Sequence, residues 1–111
     1  MTQLTPEQVV ERQLEAYNAH DLEAFMATYS PNIQAFKLSD GKPIYASLEE
    51  FRKDFESYFT EAPPHVEIGK RIVRGAYVID LEFGSDPERL SWEAVAIYEV
   101  IDGLIQRVWF V

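Results

Sequence analysis

The side chains able to do chemistry in this sequence are few, and none is a cysteine. Thiolate catalysis, disulfides and zinc–thiolate centres are therefore excluded. Two histidines remain for acid–base work, His20 and His65, with the strand residues Asp80, Glu82, Glu93 and Arg107, the amine of Lys37, and the phenols of Tyr17, Tyr29 and Tyr98. His20 follows a predicted helix, where an imidazole satisfies terminal carbonyls and complements the helix dipole. His65 follows Pro63-Pro64 and reads as a surface loop residue at the mouth of a strand, within reach of a pocket rim. Two carboxylates bridged by an arginine can activate water. Asp80 and Glu82, however, alternate with Tyr77, Ile79, Leu81 and Phe83, which assigns them to a solvated strand face. No tight two-histidine, one-carboxylate spacing points to a metal, and no cofactor is expected. Lys37 has two readings. Turned inward it is a lone cation with a depressed pKa, usable as a base, an imine-forming amine or an anion anchor. Turned outward it ends its strand with the amine in water, and the outward reading is the better supported.

The elements that would position these groups are legible from periodicity. Thr5-Pro6-Glu7-Gln8 is a capping box with proline at the first helical position. Val10, Leu14 and Tyr17 then form one apolar face, with Glu7, Glu11 and Glu15 on the solvated side. Asn18-Ala19-His20-Asp21 breaks that helix, and Asp21 caps a second one carrying Leu22, Phe25, Met26 and Tyr29. Ser30-Pro31-Asn32 ends it. A strand follows from Ile33 to Leu38, then a turn through Asp40-Gly41. Ser47-Leu48-Glu49-Glu50 is a second capping box, opening a helix with Leu48, Phe51, Phe55, Tyr58 and Phe59 on one side. From His65 the apolar period drops to two, the sign of strands, with Gly69 a candidate bulge and Asp102-Gly103 a hairpin turn. Helices segregated from a strand meander predict an α+β fold: one domain over residues 1–111, its helices on one face of a mostly antiparallel sheet.

This order, and the segment Tyr17-Asn18-Ala19-His20-Asp21-Leu22-Glu23-Ala24-Phe25-Met26-Ala27-Thr28-Tyr29 above all, resembles the NTF2-like superfamily, which includes ketosteroid isomerase, the SnoaL-like polyketide cyclases and scytalone dehydratase. Ser47 to Phe55 resembles its third helix and Gly103 to Phe110 its closing hairpin, so the likeness covers essentially the whole chain. The resemblance implies a cone: a strongly curved sheet, three helices on its concave side, a cavity between them, and pairing of two copies through the convex face. It also implies a test. The isomerase uses a carboxylate base near the end of the first strand, and a tyrosine with a protonated aspartate as its oxyanion hole. Those positions fall on Lys37, Gln13 and Ala96, so the isomerase set is lost. Tyr29 matches a supporting tyrosine of that network. A dehydratase of the scytalone type would need histidine and aspartate around one cavity, which His20 and His65 do not supply.

The pocket expectation rests on one strand. Leu90, Trp92, Ala94, Ala96 and Tyr98 alternate on its concave side, two small residues between aromatic ones, which leaves space unless Phe25, Phe55 or Phe59 fills it. Tyr17, Phe25, Tyr29, Lys37, Phe55, Phe59, Trp92, Ala94, Ala96, Tyr98 and Phe110 are the predicted lining. Val95, Ile97, Gln34, Phe36 and Leu38 fall on the opposite face, which a homodimer would cover.

The net charge of −9, from 19 acidic and 10 basic residues, disfavours nucleic acid and acidic membranes as partners. No run approaches the ~20 apolar residues of a membrane span, no signal peptide opens the sequence, and the lack of cysteine suits a reducing cytoplasm. The expected function is binding of a small apolar molecule in the cone without the isomerase's residues. The alternative is an isomerase, cyclase or lyase with non-standard residues.

Overall fold

The computed structural model describes residues 3–89 and 91–111. Leu90, assigned above to the concave face, lies outside them. Helix α1 (Pro6–Asn18) starts as its sequence dictates: the Thr5 hydroxyl accepts from the Gln8 N–H (3.2 Å) and the Gln8 side chain accepts from the Thr5 N–H (2.9 Å). Its end is a Schellman closure, with the Asp21 N–H on the Ala16 carbonyl (3.0 Å), the His20 N–H on the Tyr17 carbonyl (3.1 Å), and His20 in the left-handed region at φ 56°. Glycine is the usual residue there. Backbone groups thus satisfy the helix carbonyls, and the predicted capping by the His20 ring is corrected. The ring instead reaches across the fold to the Pro64 carbonyl, 2.6 Å from Nε2.

Helix α2 (Leu22–Met26) is capped by Asp21, whose carboxylate accepts from the Ala24 N–H (3.1 Å). It is shorter than the apolar spacing predicts. Tyr29 already belongs to strand β1 (Tyr29–Lys37), because the Thr28 carbonyl accepts from the Ile105 N–H (2.9 Å) and draws the chain into sheet pairing. Helix α3 (Leu48–Glu61) is capped by Ser47, which accepts from the Glu50 N–H (3.2 Å); the Glu50 carboxylate turns to the Ala46 N–H (3.4 Å), so the reciprocal half of the box is displaced by one residue.

Strands β2 (His65–Arg74), β3 (Tyr77–Ser85), β4 (Trp92–Ile101) and β5 (Leu104–Phe110) complete one curved mixed sheet in the order β1-β5-β4-β3-β2. Every pair is antiparallel except β1 with β5. The register of β2 on β3 slips at Gly69, as its type suggested. Asp102 and Gly103, at φ 52° and 78°, turn β4 into β5. No helix among the described residues is long and apolar enough to cross a membrane.

The helices pack on the concave face. Phe25 is fully buried at the centre of an aromatic cluster, its ring 4.7 Å from Phe55, 5.0 Å from Tyr29 and 5.4 Å from Phe59 between centroids. The start of β2 is tied to the end of α1 by Asn18, which donates to the Val66 carbonyl (2.9 Å) and accepts from the Val66 N–H (2.8 Å), as a strand neighbour would. This pair and the His20 bond explain why the break between the first two helices carries those residue types.

The register of β3 corrects one expectation. Val78, Asp80, Glu82 and Gly84 pair with Tyr98, Ala96, Ala94 and Trp92, all on the concave side. Asp80 is 1% exposed. Ile79, Leu81 and Phe83 face outward instead. The predicted alternation is present, but its apolar set belongs to the convex face, where Phe36, Trp109, Ile97, Ile79 and Ile72 make one row across all five strands. Replacing Phe25 with alanine removes the ring on which three elements converge. The expected cost is about 3–5 kcal/mol of unfolding free energy, read from urea denaturation at constant pH.

Candidate functional site

Between α1, α3 and the concave sheet lies a cavity of about 230 Å³. Seven of the predicted lining residues meet there: Tyr17, Tyr29, Phe55, Trp92, Ala94, Tyr98 and Phe110. Phe25, Phe59 and Ala96 are buried behind the wall, in the core. Lys37 neighbours Phe110 in the sheet but stands exposed at the end of β1, apart from the cavity. His65 is exposed at the start of β2, and Glu93 is exposed on β4.

Sequence reasoning missed the central group. Glu82 lines the cavity, with Ala94 directly across the strand pair. The small residues expected to leave empty space leave it for carboxylates: Ala94 faces Glu82, and Ala96 faces Asp80. The two carboxylates differ in their partners. Asp80 takes two bonds from Arg71, at 2.7 Å to Nε and 2.9 Å to Nη2, and Arg71 also holds Glu11 at 2.9 Å. The two carboxylates bridged by arginine that water activation requires are thus present, though with Glu11 and Arg71 in place of the residues anticipated. This bridge lies under the sheet against α1, and none of its members lines the cavity. Arg107 pairs with Glu99, at 2.7 Å.

Among the described residues Glu82 has a phenol for its partner: the Tyr98 hydroxyl donates to it at 3.2 Å. Burial, reinforced by the negative charge of Asp80, pushes its carboxyl up to about 7, against the smaller opposing pulls of Tyr98 and Arg71. Near neutral pH it can therefore either give or take a proton. Burial holds Tyr17, Tyr29 and Tyr98 above the ordinary phenol range, so they remain neutral hydroxyls. The buried Gln13 amide donates to the Tyr29 oxygen (3.2 Å), which leaves the Tyr29 proton free to point into the cavity.

The rim is built from a second network. The buried Asp86 carboxylate accepts from the backbone N–H groups of Glu88 (2.8 Å) and Arg89 (2.7 Å), from Arg89 Nε (2.9 Å) and from the Tyr58 hydroxyl (2.8 Å). Burial alone would raise it, but these donors prevail and bring it down to about 2. The Arg89 guanidinium lies 4.1 Å from the centroid of the Trp92 ring and donates to Tyr58. Gly84 makes room for that ring: a β-carbon there would stand 2.2 Å from the indole. On the other side of the mouth, Tyr45 donates to Asp54 at 2.5 Å. Among the described residues no three histidine, aspartate or glutamate side chains come together as a metal-binding group.

The sequence signature of the SnoaL-like domain matches residues 10–108. The chain belongs to this family. Solved structures agree on the fold. An uncharacterised cystatin-fold protein of Novosphingobium aromaticivorans is 21% identical, with 97% of this chain and 98% of that one covered and a TM-score of 0.85. An NTF2-like protein of unknown function from Cytophaga hutchinsonii is 16% identical, with 99% and 91% covered and a TM-score of 0.80. An M. tuberculosis LEH-like epoxide hydrolase is 19% identical, with 96% and 82% covered and a TM-score of 0.79. No curated relative matches the sequence. The SnoaL-like domain thus has the fold of these cystatin-fold and NTF2-like structures, a fold that does not by itself fix a chemistry.

Glu82 also marks stability. Its folded carboxyl holds a proton up to about 7, whereas the unfolded one releases it near 4.5. The folded state therefore binds more protons in that interval, and stability falls as pH rises through it. Glu82→Gln should raise unfolding free energy by ~3 kcal/mol at pH 8 and leave it unchanged at pH 4. Denaturant titrations at the two pH values measure the difference.

Proposed function

We propose that this SnoaL-like domain binds a small, mostly apolar molecule inside the cone, with Glu82 meeting its polar end. The observation that carries this reading is a cavity of about 230 Å³ walled by aromatic rings, lined from the sheet by the Glu82 carboxyl and at its mouth by Asp54. An engineered cavity of ~150 Å³ takes benzene, so this one suits a ligand of about ten non-hydrogen atoms. Neutral tyrosine hydroxyls and the Glu82 carboxyl supply orientation; the rings supply most of the affinity. Saturation-transfer NMR with 2-phenylethanol tests it. The wild-type chain should give transfer to the phenyl protons, and Ala94→Leu, which fills the space opposite Glu82, should abolish it. A wild-type chain giving no transfer would count against the reading.

A second reading is catalysis of the isomerase, cyclase or lyase type, and Glu82 itself favours it. A carboxyl titrating near 7 is suited to general acid–base work, although it stands on β3, not at the Lys37 position of the isomerase base. The Glu11–Arg71–Asp80 bridge lends no comparable support to water activation, because it lies apart from the cavity. Exchange of the α-protons of cyclohexanone in deuterated water is the assay. The expected result is exchange above buffer that rises as pH passes through about 7 and disappears in Glu82→Gln. Exchange equal to buffer would leave binding as the function.

Assembly is proposed on separate grounds. The apolar row from Phe36 to Ile72 lies on the convex face, with Ile72 52% and Phe83 46% exposed. A second copy related by a two-fold axis is the natural cover for such a face. Sedimentation should report a dimer at micromolar concentration, and Ile97→Glu should yield monomers with the same circular dichroism.

A further inference from the structure

The charges around the cavity are unequal in their commitments. Arg89, the one cation lining it among the described residues, is balanced by Asp86, bonded to Tyr58 and stacked on Trp92. Arg71, the cation on the neighbouring strand whose charge acts on Glu82, is shared between Asp80 and Glu11. Glu82 itself has a hydroxyl partner and, among the described residues, no cationic one. A desolvated carboxylate is costly until a positive charge stands beside it. Asp54 adds a second negative group at the mouth. Eight of the lining side chains are aromatic, and ring faces attract cations. The chain as a whole carries −9, which steers cations toward it and repels anions.

From these observations we infer that the ligand of this cavity is a lipophilic amine bound as its ammonium ion, its hydrocarbon body against the rings and its nitrogen against Glu82. The inference rests on the reading of the cavity as a ligand site and names the ligand's chemical class. No covalent step is involved. The amine arrives carrying its proton; where Glu82 is neutral, it gives its own proton to solvent and pairs as the carboxylate. Binding near pH 7 therefore releases a fraction of a proton.

Three probes of one size separate the possibilities: 2-phenylethylamine, 2-phenylethanol and phenylacetate, titrated calorimetrically into the full chain at pH 7 in two buffers of different ionisation enthalpy. The amine should bind at least tenfold more tightly than the alcohol, with proton release to buffer, and phenylacetate more weakly than either. Glu82→Gln should bring the amine down to the alcohol's affinity while the alcohol still binds. Equal binding of amine and alcohol overturns the ammonium inference and leaves the ligand-site reading standing. Tighter binding of phenylacetate also overturns it and makes Arg89 the anchor. Retention of the amine preference in Glu82→Gln overturns the role of Glu82. Failure of all three probes overturns both readings together.

Discussion

The pairing of β3 with β4 is the constraint on which the rest of the molecule turns. It sets Asp80 opposite Ala96 and Glu82 opposite Ala94. A one-residue slip would reverse both faces of the strand, bringing Ile79, Leu81 and Phe83 inward and sending the carboxylates to solvent. In the observed register two acids enter the concave side, where only alanine leaves them room. Arg71 then has a reason to reach Asp80, and α1 a reason to carry Glu11. The same register makes the convex face apolar.

Much of the architecture was readable in the residues because local rules and tertiary packing agree. Thr5 and Asp21 cap helices where their types predict, Gly69 marks the register slip, and Asp102-Gly103 turns the last hairpin. The site was less legible, for one physical reason. Alternation says which residues share a face but not which face is inside. On β3 the bulkier set reads as the core, yet it faces the convex side, which no helix among the described residues covers. Ala94 and Ala96 held the missing signal: two small residues on an adjacent strand call for something long opposite them. His20 failed differently. Its position matched a helix cap, but the backbone had already closed the helix in a left-handed turn, freeing the ring for Pro64.

The three positions that the resemblance sets against the isomerase's residues have visible structural uses. Gln13 donates to Tyr29 and fixes a phenol in the cavity wall. Ala96 yields its volume to Asp80. Lys37 leaves the interior altogether. The ionisable group that lines the cavity from the sheet is Glu82, on the third strand and opposite Ala94.

The stacking of Trp92 over Gly84 has a practical corollary. The chain has two tryptophans, and the sheet separates them: Trp92 closes the cavity beneath Arg89, and Trp109 lies on the convex face against Phe36, with ring centroids 5.9 Å apart. Each indole senses one side only. Events inside the cone and events between copies of the chain therefore speak through different fluorophores, and a pair of single-tryptophan variants would let the two be heard separately in the same solution.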